Sequence, residues 1–107
     1  MLGKYVKVIV VRPLGSFHPK HKDIFYSVNY GYVDGIIAGD GEFQDAYILG
    51  IDKPLTEFTG KVIAIIHRLD DVEDKWVVAP DNVFFTKAEI MEKVYFQEKY
   101  FKTEIRM

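Results

Sequence analysis

A chain of 107 residues, 49% hydrophobic and 15% aromatic, has material for one packed core, expected as a single domain over residues 1–107, and is too rich in core formers to be disordered. It has no cysteine, which excludes disulfide frameworks, zinc ribbons and cysteine nucleophiles and fits a reducing, cytoplasmic setting. A formal net charge of -2 argues against a nucleic-acid partner, and the lack of any run of about 18 apolar residues argues against a membrane span.

Lys4 to Arg12 alternates apolar and polar residues around Val6, Val8 and Val10, which predicts a strand and no signal-peptide core. Pro13 and Gly15-Ser16 end it. The stretch to Lys22 reads as a basic loop carrying His18, Lys20 and His21, whose histidines are expected to be solvated. Ile24 to Val33 predicts a second strand, with Ile36-Ile37 continuing it after a bend. Gly39 to Glu42 is a turn by composition, and Ala46 to Gly50 a short apolar strand.

Lys61 to Arg68 is almost continuously apolar and predicts a central strand, with His67 structural at its end. Asp70 to Asp74 is a charged turn, and Lys75 to Ala79 a fifth strand stopped by Pro80. Trp76, Phe84 and Phe85 are expected in the core. Thr86 to Glu89 has the capping-box pattern. A helix over about 87–102 is expected to pack through Ile90, Val94 and Tyr95, with Glu89, Lys93, Glu98 and Lys99 on its wet face. Five strands followed by one helix, with turns every 8–12 residues, predict a mainly β fold: a small OB-like five-stranded barrel with one C-terminal α-helix.

The block Asn29-Tyr30-Gly31-Tyr32, followed by Asp40-Gly41-Glu42-Phe43-Gln44-Asp45 and an apolar strand, resembles the signature of soluble inorganic pyrophosphatases. Asp70 to Pro80 resembles that family's second acidic loop and the strand after it, and Pro13 to Ser16 its early turn. The resemblance implies Mg²⁺-dependent hydrolysis of pyrophosphate or a related phosphoanhydride by a metal-activated water, with Mn²⁺ as an alternative cation. It places metal ligands at Asp40, Asp45, Asp70 or Asp71, and Asp74. It places the general base at Glu42 and substrate contacts at Lys20, Tyr30, Lys75, Tyr100 and Lys102. It also extends to a homo-oligomeric state, which is frequent in the family.

The chain departs from that pattern at several positions. Glu42 replaces an Asp and Phe43 a Pro. Val11 stands near the place of an upstream metal-binding Glu. The acidic turn is one residue shorter, a hairpin that carries an Arg is missing, and Phe101 separates Tyr100 from Lys102. The rival reading is a catalytically decayed module of the same fold that binds a phosphorylated ligand or a protein partner.

Overall fold

The computed structural model describes residues 1–71 and 73–107; Val72, inside the acidic turn read from the sequence, lies outside the described residues. The elements are β1 (Tyr5–Arg12), β2 (Asn29–Ile37), β3 (Phe43–Ile48), β4 (Glu57–Arg68), β5 (Asp74–Ala79), α1 (Lys87–Glu98) and β6 (Thr103–Arg106). The strands lie in the order β1-β2-β3-β5-β4-β6, and β1 also pairs with β4. That pairing closes five strands into a barrel and removes their free edges. All neighbours are antiparallel except β3 and β5, which run parallel. Among the described residues no helix is long and apolar enough to cross a membrane.

Alternation along the strands explains the near-continuous apolar runs. One cluster, Val6, Val8, Val33, Ala46, Ile48, Val62, Trp76 and Val78, fills one face of the sheet. Tyr47, Leu49, Ala64, Ile66 and Val77 pack instead with Ile90 and Val94 of α1, the β4 residues changing face at a register shift between Val62 and Ala64. β3, β4 and β5 are therefore buried on both faces and need apolar residues at successive positions. At Gly31 the barrel draws tight: a Cβ there would fall on the Ile9 carbonyl oxygen, so only glycine fits.

The capping box forms as the pattern requires. Thr86 Oγ1 accepts from the Glu89 N–H at 3.1 Å, and a Glu89 carboxylate oxygen accepts from the Thr86 N–H at 2.8 Å. The helix ends at Glu98 rather than near 102. Thr103 to Arg106 instead pairs with β4, burying Ile105, and forms a sixth strand outside the barrel proper. Tyr95 is exposed, and Ile90, Val94 and Glu98 face inward. Steps of four from Ile90 lead to 94 and 98, so the periodicity that buries Ile90 also carries Glu98 into the protein. Phe84 is exposed too, in the extended segment before α1, whereas Phe85 packs on the core and Trp76 is buried.

Candidate functional site

α1 covers Tyr47 and Val77 on the outer face of β3 and β5. Two residues earlier on the same face, where α1 stops, stand Asp45 and Lys75. Glu73 is a further two residues back. Lys75 is only 3% exposed, and its ammonium donates to Asp45 Oδ2 at 2.5 Å and to Glu73 Oε2 at 2.9 Å. It lies 5.7 Å from the Tyr30 ring centroid. Burial works against the charge on Lys75, but the Tyr30 phenol and the Asp45 carboxylate outweigh it, and its pKa is raised.

Behind this pair runs a buried polar network. Arg68 donates to both carboxylate oxygens of Glu98, from Nε at 3.0 Å and from Nη2 at 2.8 Å. Its Nη1 reaches Glu73 Oε2 at 3.3 Å, so Glu73 joins Arg68 to Lys75. The Tyr47 hydroxyl donates to Glu98 at 2.5 Å and accepts from Gln97 Nε2 at 2.7 Å, and Tyr26 donates to Gln97 Oε1 at 2.6 Å. The guanidinium also lies 3.6 Å from the centroid of the Phe101 ring, a cation–π contact.

Burial pushes the Tyr30 phenol up to about 12, and burial with the Glu98 charge raises Tyr47 well above the ordinary value near 10. A raised folded pKa stabilises the fold fully below the unfolded value and is lost as pH rises toward the folded one. Stability is therefore expected to hold to about pH 10 and then fall, with Tyr30 alone contributing roughly 2–3 kcal/mol of loss by pH 12. The raised Lys75 acts in the same direction. Urea unfolding at pH 9, 10 and 11 measures this; equal stability at all three would contradict it.

Lys75 lines one cleft, and its partners Asp45 and Glu73 line a second. The larger, of about 440 Å³, lies between the basic loop and the end of α1. His18, His21, Asp23 and Ile24 line one side, and Gln97, Tyr100 and Phe101 line the other, with Arg68 and Lys75 also in its wall. An isolated bridge between Phe17 and Phe25 shapes the loop. His18 Nδ1 accepts from the backbone N–H groups of Lys20 and His21, at 3.1 and 3.2 Å. That leaves Nε2 as the protonated nitrogen of the neutral ring. Partial burial and the Arg12 charge lower its pKa. Among the described residues, the buried Arg12 Nε has no hydrogen-bond partner. The smaller cleft, of about 130 Å³, is lined by acidic Asp40, Asp45, Glu73 and Asp74 together with Ala38, Gly39, Phe43 and Gln44.

The residues named from sequence are thus distributed. Lys75 and Tyr100 share the larger cleft with the basic loop, and Asp40, Asp45 and Asp74 line the acidic one. Asp40 Oδ1 accepts from the Glu42 N–H at 3.0 Å, and Glu42 is exposed on the hairpin turn, where Gly41 supplies a φ of 85°. Asp74 is 2.6 Å from His67 Nδ1, its direct cross-strand neighbour. Asp70 accepts from the Lys102 N–H at 3.2 Å, and both residues are exposed. Asp71 lies 3.8 Å from Arg68 Nη1. Lys20 is exposed, and the loop lines the cleft with its imidazoles instead.

Glu73, Arg68 and Gln97 carry no site role in the sequence reading, and His18 enters it only as one residue of the basic loop. A signal for Glu73 was available: period-two alternation puts 73 and 75 on one face and 74 on the other.

As folded, the described carboxylates form no preassembled three-ligand metal site. Among the described residues no three carboxylate or imidazole side chains converge closely enough to hold a metal ion. Lys75 and His67 supply the cationic or hydrogen-bonding partners that a metal would otherwise provide to Asp45 and Asp74.

Neither a protein-family model nor a curated protein sequence matches the chain. Solved structures do. The inorganic pyrophosphatase of Ehrlichia chaffeensis superposes with a TM-score of 0.73 at 17% identity, covering 97% of this chain and 85% of that one. The inorganic pyrophosphatase of Coxiella burnetii gives 0.66 at 14% identity, covering 99% and 86%. That of Neisseria gonorrhoeae gives 0.64 at 19%, covering 92% and 74%. At these identities the likeness is one of architecture: the chain has the fold of solved bacterial inorganic pyrophosphatases.

Proposed function

We propose that the larger cleft binds a small phosphorylated anion, pyrophosphate or a related phosphoanhydride. One observation carries this reading: donors from three separate parts of the chain meet in a single cleft. They are the imidazoles of the basic loop, Lys75 at the start of β5, and Tyr100 just after α1. A phosphate oxygen accepts several N–H or O–H groups at once, and charged donors strengthen each bond. Such convergence on one cavity is what recognition of this ligand requires. The carboxylates of Asp45 and Glu73 hold the Lys75 ammonium in place. The pyrophosphatase fold of the solved structures supports the same ligand class.

A second reading, Mg²⁺-dependent hydrolysis of pyrophosphate, is favoured by the acidic cleft lined by Asp40, Asp45, Glu73 and Asp74. It requires Asp45 and Asp74 to exchange Lys75 and His67 for metal ions.

Two measurements separate the readings. Titration calorimetry with imidodiphosphate in the presence of a chelator is expected to show binding. His18→Ala is expected to weaken it about tenfold, the loss of one hydrogen bond to a charged group. A phosphate-release assay with pyrophosphate and Mg²⁺ or Mn²⁺ reports hydrolysis directly. Release of phosphate together with an absence of metal-free binding would overturn the first reading in favour of the second.

A further inference from the structure

We infer that the ligand of the larger cleft carries a flat organic group as well as phosphate, and that a nucleoside diphosphate is the class it fits. This rests on the phosphate reading above and extends it to the remainder of the cavity.

Size is the first ground. A cavity of about 440 Å³ falls in the range of sites that enclose whole organic molecules. Inorganic pyrophosphate, two phosphoryl groups without carbon, leaves much of it unfilled.

The second ground is how polarity is arranged with depth. The cationic side chains Lys75 and Arg68 are the buried ones, 3% and 4% exposed, while the carboxylate of Asp23 is exposed in the lining. The rings are the accessible ones: Tyr100 is 54% exposed, and His21 is exposed on the opposite side. Phosphate therefore has its cationic donors at the floor, while the rim offers, beside the N–H and O–H groups of its rings, ring faces to something planar. Phosphate gains little from ring faces. A nucleobase gains stacking, whatever its identity, because every base has a π-face.

The third ground is that the walls are already organised for stacking. The His18 and His21 rings lie 4.9 Å apart at an interplanar angle of 48°. Across the cleft Phe101 is held in place by the Arg68 guanidinium over its ring. Ile24 adds an apolar surface on the histidine side. Gln97 is tied at both ends of its amide to Tyr26 and Tyr47, which fixes the α1 side of the wall.

The test is titration calorimetry with uridine diphosphate, adenosine diphosphate, pyrophosphate and unphosphorylated uridine, all in chelator. Both nucleoside diphosphates are expected to bind about tenfold or more tighter than pyrophosphate, the scale of one stacked base. Uridine is expected to bind at least about tenfold more weakly than its diphosphate. In Tyr100→Ala the advantage of the nucleoside diphosphates over pyrophosphate is expected to collapse to within about twofold, and in Tyr100→Phe to persist. Because Tyr100 is exposed, both variants are expected to keep the wild-type melting temperature. Equal affinity for pyrophosphate and the nucleoside diphosphates, or an unchanged advantage in Tyr100→Ala, overturns this inference and leaves phosphate binding standing. No binding by any of the phosphate compounds overturns both.

Discussion

Replacing Arg68 by methionine is expected to destabilise the protein by about 3–5 kcal/mol, measured by urea unfolding, because it leaves Glu98 charged and buried without its partner. Glu98 is 1% exposed and Arg68 4%, and two hydrogen bonds join them. A carboxylate so placed cannot recover its hydration, and the Tyr47 hydroxyl alone cannot replace a guanidinium. The effect should spread, since Arg68 also reaches Glu73 and underlies Phe101. The double variant Arg68→Met with Glu98→Leu removes both charges and is expected to recover most of the loss, because a buried ion pair is close to neutral against an apolar replacement of similar size. A single-variant loss below about 1 kcal/mol would mean that the pair does not hold the end of α1 against β4.

Lys75→Met is expected to act on two quantities at once. Affinity for imidodiphosphate should fall more than about tenfold, since a desolvated cationic donor is removed from the cleft. The same change leaves Asp45 and Glu73 facing each other across an apolar side chain, at a cost of about 1–3 kcal/mol. Like-charged carboxylates in that position create a need for a cation that the wild type meets internally. Millimolar Mg²⁺ or Mn²⁺ is therefore expected to raise the melting temperature of Lys75→Met by several degrees through selective binding to the native state, while leaving the wild type within about 1 °C. An equal rise in the wild type would show that metal displaces Lys75 readily and would favour the hydrolytic reading.

Much of the fold was legible because its signals are local. The alternation in β1, the apolar runs of β4 and β5, and the capping box before α1 each depend on neighbours within a few residues. What escaped depends on distant partners. β6 is only four residues long and follows the helix without a strong turn signal; its strand character comes from pairing with β4. Glu98 looks like a wet-face residue until Arg68, thirty positions away, is brought against it. Residues of the candidate site were legible in the same uneven way. The resemblance named Lys75 and Tyr100, which share a cleft, and Asp40, Asp45 and Asp74, which line another. It did not show that Lys75 and His67 would occupy two of those carboxylates, since that follows from which face of each strand they share. The basic loop was visible as charge. That its histidines rather than Lys20 line the cleft follows from the turn built around His18 Nδ1.

On the reading proposed above, a phosphorylated anion occupies the cleft between the basic loop and the end of α1 without a divalent metal. An amide and side-chain NMR titration with imidodiphosphate in chelator tests it most directly. Saturable shifts are expected at His18, His21, Lys75, Gln97 and Tyr100, with Asp40 and its hairpin turn little changed. Shifts that appear only after Mg²⁺ is added and centre on Asp40, Asp45 and Asp74, or no shifts at all, would contradict it.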